Sequence, residues 1–82
     1  MVTLTLYSRP ECHLCESLLA DLLPLLPADV VIETVDVDSS IALERRYGLK
    51  IPVLTAGETE LSGYPLDRDR VQRFLEALSA KA

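Results

Sequence analysis

The chain has no tryptophan, one phenylalanine, one histidine and only two cysteines in 82 residues. Two cysteines are too few for a secreted scaffold held by disulfides instead of a core. With a single histidine they also fall short of a closed four-ligand zinc site within one chain. Positive charge is scarce: 8 Lys and Arg stand against 13 Asp and Glu, a net charge of −5. That balance argues against nucleic acid as a partner, since phosphate binding needs a basic face. No apolar run reaches the ~18 residues of a membrane span. Residues 1–9 lack the charged-then-apolar order of a signal peptide, so a cytoplasmic protein with no membrane partner is expected. There is no repeat, linker or low-complexity tract, and the chain reads as one domain over residues 1–82. What the sequence does have is 49% hydrophobic residues, enough for a small core.

The apolar pattern changes period along the chain. In residues 2–7, Val2, Leu4 and Leu6 alternate with Thr3, Thr5 and Tyr7, which predicts a strand. From Cys12 onward, Cys15, Leu18, Leu19, Leu22 and Leu23 recur at helical spacing, and Pro24 should stop that helix near residue 23. Residues 30–37 are rich in β-branched side chains and predict a second strand, parallel to the first across the helix. Asp38, Ser39 or Ser40 can cap a short helix with apolar residues Ile41, Ala42, Leu43 and Tyr47, ended by Gly48 as its C′ residue. Residues 51–55 and 58–61 read as a hairpin turning at Ala56-Gly57. Asp67 can cap a last helix along Val71, Phe74, Leu75 and Leu78. The order β-α-β-α-β-β-α fits an α/β fold, a four-stranded mixed sheet with flanking helices.

Both cysteines lie in Cys12-His13-Leu14-Cys15. Chance gives this spacing only about 2% of the time, and the pair sits where a strand hands over to a helix. A thiolate attacks a disulfide, and the first turn of a helix offers unpaired N–H groups and a positive dipole to stabilise one. Cys12 is therefore expected to be the exposed, more acidic thiol. Cys15, about one turn deeper on the apolar face, is expected to be buried. Arg9 and a protonated His13 favour the Cys12 thiolate, while Glu11 and Glu16 oppose it. Two other readings stay open at this point: a structural pair of small apolar residues, and a metal or iron–sulfur centre shared between two chains. Asp36 and Asp38 read as solvated carboxylates. Arg68, Arg70 and Arg73, interleaved with Asp67, Asp69 and Glu76, read as a solvated helix face.

With these residues in view, the chain resembles the glutaredoxins of the thioredoxin superfamily, and more closely the small glutaredoxin-like proteins of bacteria. Residues 6–16, running from Leu6 through Cys12 and Cys15 to Glu16, are similar to their redox motif. Residues 47–54 are similar to the segment that carries their cis-proline, and the helix start at 66–71 is similar too. The resemblance spans nearly the whole chain. It implies a thioredoxin-like fold and a thiol–disulfide oxidoreductase with Cys12 as nucleophile and Cys15 as resolving thiol. It further implies a cis Pro52 beside the pair, with the Ile51 backbone, Arg9, His13 and Gly63 contacting glutathione or substrate. The implied partners are a disulfide-containing protein or a glutathione mixed disulfide, and a reductase. Glutathione is the possible reductant, with no bound cofactor or metal, and the chain is expected to be a monomer. Where the family carries Gly-Gly-x-Asp before its last helix, this chain has Ser62-Gly63-Tyr64-Pro65-Leu66-Asp67, so weak glutathione recognition is expected.

Overall fold

The computed structural model describes residues 2–80, with side chains through residue 78. Strand β1 is Val2–Ser8, and its alternation buries Leu4, Leu6 and Ser8 on one face. Helix α1, His13–Leu22, buries Cys15, Leu18 and Leu22 as a single stripe. It ends one residue before the expected stop. Pro24, which cannot donate to a preceding turn, sits instead in one 3₁₀ turn, Leu23–Leu25. Strand β2, Val30–Asp36, then runs parallel to β1, from Val2 opposite Val30 to Ser8 opposite Asp36.

The chain leaves β2 one residue earlier than the β-branched run suggests. Val37 opens a second 3₁₀ turn, Val37–Ser39, because the Asp36 carboxylate accepts the Asp38 N–H at 2.8 Å. Helix α2, Ile41–Tyr47, follows with Ser40 as its N-cap, accepting from the Leu43 N–H at 3.4 Å. Only Leu43 and Tyr47, four apart, turn inward, while Ile41 and Ala42 face solvent. Gly48, expected as the C′ residue, is instead the C-cap of α2, in the right-handed helical region with a φ of −53°. Its need for glycine is steric: a Cβ there would collide with the Glu44 carbonyl oxygen, to which the Gly48 N–H donates at 2.8 Å.

The hairpin strands are β3, Val53–Ala56, and β4, Thr59–Ser62, shifted from the expected spans. Ile51 and Pro52 stay outside β3. The turn is Gly57–Glu58 rather than Ala56-Gly57, and Gly57 takes the positive φ of 60° that such a turn requires. A register shift between Leu54 and Thr55 leaves Leu61 as an extra residue on β4. Helix α3, Arg68–Ala80, is capped by Asp67, whose Oδ1 accepts the Arg70 N–H at 3.1 Å.

The sheet order is β2-β1-β3-β4, with only β1 and β2 parallel. This is the expected four-stranded mixed sheet with the expected element order. One apolar cluster joins Leu4, Leu6, Val30, Leu54 and Leu61 of the sheet to Leu18 and Leu22 of α1 and to Val71 and Leu75 of α3. A smaller one holds Val37, Tyr47 and Val53, with Tyr7, Leu43 and Ile51 against them. There the rings of Tyr7 and Tyr47 stack, their centroids 4.2 Å apart. The strand registers bring the segments after β1, β2 and β4, and the one before β3, to a single end of the sheet. Among the described residues no helix is long and apolar enough to cross a membrane.

Candidate active site

Cys12 is the N-cap of α1, with φ −94° and ψ 103°, so its side chain faces the free N–H groups of the first turn. Its Sγ accepts the Cys15 N–H at 3.1 Å, and its carbonyl accepts the Glu16 N–H at 3.1 Å. Cys12 is half-buried, whereas Cys15 is only 4% exposed. The two form a disulfide within one helical turn, with Cα atoms 5.2 Å apart. The difference in burial is the one expected from their helix positions. Arrival at this cap is set by the turn before it: Glu11 adopts a φ of 61°, a left-handed conformation unusual for a residue with a side chain.

A cleft of about 190 Å³ opens beside the sulfurs, lined among others by Leu6, Ser8, Arg9, Glu11, Glu16, Leu19 and Thr34. Among the described residues Arg9 is the one basic residue of that lining. It is not a free cation. Its Nε donates to both carboxylate oxygens of Asp38, at 3.1 and 3.2 Å. The reading of Asp36 and Asp38 as merely solvated is thereby corrected, since Asp36 caps the 3₁₀ turn and Asp38 holds Arg9. The two partners are 29 residues apart, and only the β1–β2 register joins them: Ser8 lies opposite Asp36, just before each one. Both side chains are more than a third exposed, so the pair adds little stability, of order 0–1 kcal/mol.

The other residues singled out by sequence are dispersed. His13 does not line the cleft; its side chain is 96% exposed, with Nδ1 3.9 Å from Glu16 Oε2. The Ile51–Pro52 bond is cis, as the resemblance implied, and Pro52 is buried. The Ile51 N–H, however, donates to the Tyr47 carbonyl at 3.1 Å. Of the backbone contact expected from Ile51, the N–H is therefore already engaged in this conformation. Gly63 sits beside Pro52, where an added Cβ would stand 3.6 Å from the Pro52 carbonyl oxygen.

Gly63 also lines a second, separate groove of about 280 Å³ with Ser62, Tyr64, Pro65, Asp67 and Arg70. A second cis bond, Tyr64–Pro65, lies in this loop. Asp67 is engaged on both sides, its N–H donating to Ser62 Oγ at 2.9 Å and its carboxylate accepting from Arg70. A further cavity, about 440 Å³ between the first 3₁₀ turn and α3, is lined by neither cysteine. Among the described residues no cluster of three or more His, Cys, Asp or Glu side chains is arranged to hold a metal ion. Arg68, read as part of a solvated face, reaches across to Asp21 of α1 at 3.8 Å.

Comparison with known proteins adds three findings. Residues 3–76 match the glutaredoxin-like domain (DUF836). The X-ray structure of the Northeast Structural Genomics target protein XcR50 from X. campestris is similar, with 35% identity and a TM-score of 0.70, over 90% of this chain and 96% of that one. The solution structure of XcR50 is similar too, at 36% identity and a TM-score of 0.70, over 94% of this chain and 95% of that one. No curated protein matches the chain.

Proposed function

The chain belongs to the glutaredoxin-like domain family, and from that footing we propose that it is a thiol–disulfide oxidoreductase acting through Cys12 and Cys15. The observation that carries this reading is the Cys15 N–H aimed at Cys12 Sγ at 3.1 Å, at the cap of α1. A donor already in place stabilises the thiolate as it forms, with the helix dipole adding to it.

In the reduced protein the Cys12 thiolate attacks one sulfur of a substrate disulfide. A bond forms between Cys12 Sγ and that sulfur, and the other sulfur leaves as a thiolate and takes a proton. The Cys15 thiol loses its proton and attacks Cys12 Sγ. The Cys12–Cys15 disulfide forms, the second substrate thiolate leaves, and two electrons have passed to the substrate. A thiol reductant, either glutathione or the dithiol of a reductase, returns the pair to its reduced state by the reverse exchange.

In this reading the protein acts in the cytoplasm as a monomer without bound cofactor, on protein disulfides or glutathione mixed disulfides. Glutathione serves it poorly, because Asp38 occupies Arg9 and Asp67 is engaged at the start of α3. Each charged hydrogen bond missing there is worth ~1.5–3 kcal/mol.

Equilibration in glutathione redox buffers, with the dithiol fraction read by alkylation, tests the reading. A single two-electron transition is expected, lost in Cys12→Ser. A pair that never exchanges with the buffer ends it. In the glutathione-dependent hydroxyethyl disulfide assay, turnover well below that of an ordinary dithiol glutaredoxin is expected.

A further inference from the structure

We propose that the Arg9–Asp38 ion pair sets a charge preference at the cysteine cleft, against anionic thiols and disulfides and for a disulfide flanked by lysine or arginine in a protein partner. The proposal rests on the exchange chemistry put forward above.

Among the described residues Arg9 is the one basic residue lining the cleft, and both oxygens of Asp38 sit on its Nε. Asp38 is itself fixed by a built turn. Its N–H donates to Asp36 Oδ1 at 2.8 Å, and Ser39 Oγ donates to the Asp36 carbonyl at 2.6 Å. The pair is neutral as a unit. Glu11 and Glu16 then line the same cleft as the two cysteines, with no matching cation among the described residues of the lining. His13, 3.9 Å from Glu16, offsets that carboxylate only when protonated. A carboxylate that approaches the other N–H groups of Arg9 meets a guanidinium that already carries Asp38 on its Nε, so attraction and repulsion largely cancel. For an ammonium or guanidinium beside the substrate disulfide the same pair cancels with the signs reversed, and the attraction of Glu11 and Glu16 is what remains.

Asp38 does not line the cleft. It acts through Arg9, as a residue that determines specificity without touching the reacting sulfurs. Charges separated by several ångströms of water change a rate by about two- to threefold per unit charge.

The test uses the reduced full chain and three small disulfides: cystamine, with two ammonium groups; hydroxyethyl disulfide, which is neutral; and dithiodiglycolate, with two carboxylates. In each case two electrons pass from Cys12 and Cys15 to the disulfide, giving two free thiols. Each rate is divided by the rate of dithiothreitol, a neutral dithiol, with the same disulfide, which removes differences in leaving-group reactivity. Cystamine should be fastest and dithiodiglycolate slowest, spread about tenfold at low salt and collapsing at roughly 1 M. Asp38→Asn should raise the dithiodiglycolate rate relative to the neutral one by about threefold. Adding Arg9→Gln should remove that gain. Equal normalised rates, a preference for the anion, or an Asp38→Asn variant with unchanged ratios overturns the proposal while the exchange chemistry stands. Failure of all three disulfides to react overturns the exchange chemistry and this inference with it.

Discussion

Glu11 carries a side chain at a φ of 61°, where a Cβ costs ~1–2 kcal/mol against the ordinary helical region. Glycine at this position would relieve that cost, although its freer unfolded chain takes back ~0.5–1 kcal/mol. Glu11→Gly should therefore be neutral or more stable by up to ~1 kcal/mol in urea melts, and Glu11→Val should be clearly less stable. Thr55 presents the opposite situation. It is 1% exposed, and its Oγ1 has no hydrogen-bond partner among the described residues. Valine keeps the shape and removes the stranded hydroxyl, so Thr55→Val should gain about 1 kcal/mol by the same measurement. At the cysteines, Cys15→Ser should hold the substrate as a mixed disulfide on Cys12, visible as added mass in the intact protein. A trapped adduct on Cys15 in a Cys12→Ser protein would reverse the assigned roles.

Helices α1, α2 and α3 each begin at a side-chain cap, and the caps carry measurable energy. Asp67→Ala removes the acceptor of the Arg70 N–H and should cost ~0.5–2 kcal/mol of stability by chemical denaturation. Leu18 joins α1 to the sheet and is fully buried, so Leu18→Ala should cost ~2–5 kcal/mol. That approaches the entire stability of a domain this small. How much of this was legible in the sequence follows from what each element depends on. β1 and α1 were legible because their apolar period switches from two to helical across residues 9–12, and this placed the cysteines on a helix start. The hairpin is legible but its turn lies one residue later than the pattern suggests, because Gly57 marks a turn without saying which side of it lies in the loop. The 3₁₀ turn after β2 was hidden by the valines, whose strand preference is overridden by the Asp36 cap. Asp38 was missed as the partner of Arg9 because the contact depends on the register of two parallel strands, which no local pattern encodes. The cis Pro52 came from the resemblance, since proline before a strand is ordinarily trans.

At the scale of the whole molecule, β1 is the member common to everything. It lies inside the sheet, sends Leu4 and Leu6 into the larger apolar cluster and Tyr7 into the smaller one, and leads directly into the loop that carries Arg9 and Cys12. The bridge between Cys12 and Cys15 spans only three positions of one helix, so it fastens no two distant parts of the chain together. Closing so short a loop is worth about 2 kcal/mol or less. The reduced protein should stay folded, with an unchanged far-ultraviolet circular dichroism spectrum and a melting temperature lower by no more than ~15 °C. The consequence extends to backbone opening. Amide protons of the central strands, such as those of Leu4 and Leu54, exchange with deuterium only when both apolar clusters come apart, and neither cluster includes the bridge. Deuterium uptake in the two redox states should therefore differ over residues 10–16 and coincide in β1, β3 and α3. Uptake that also rises in α3 on reduction would mean that the bridge braces the entire domain rather than one turn of it.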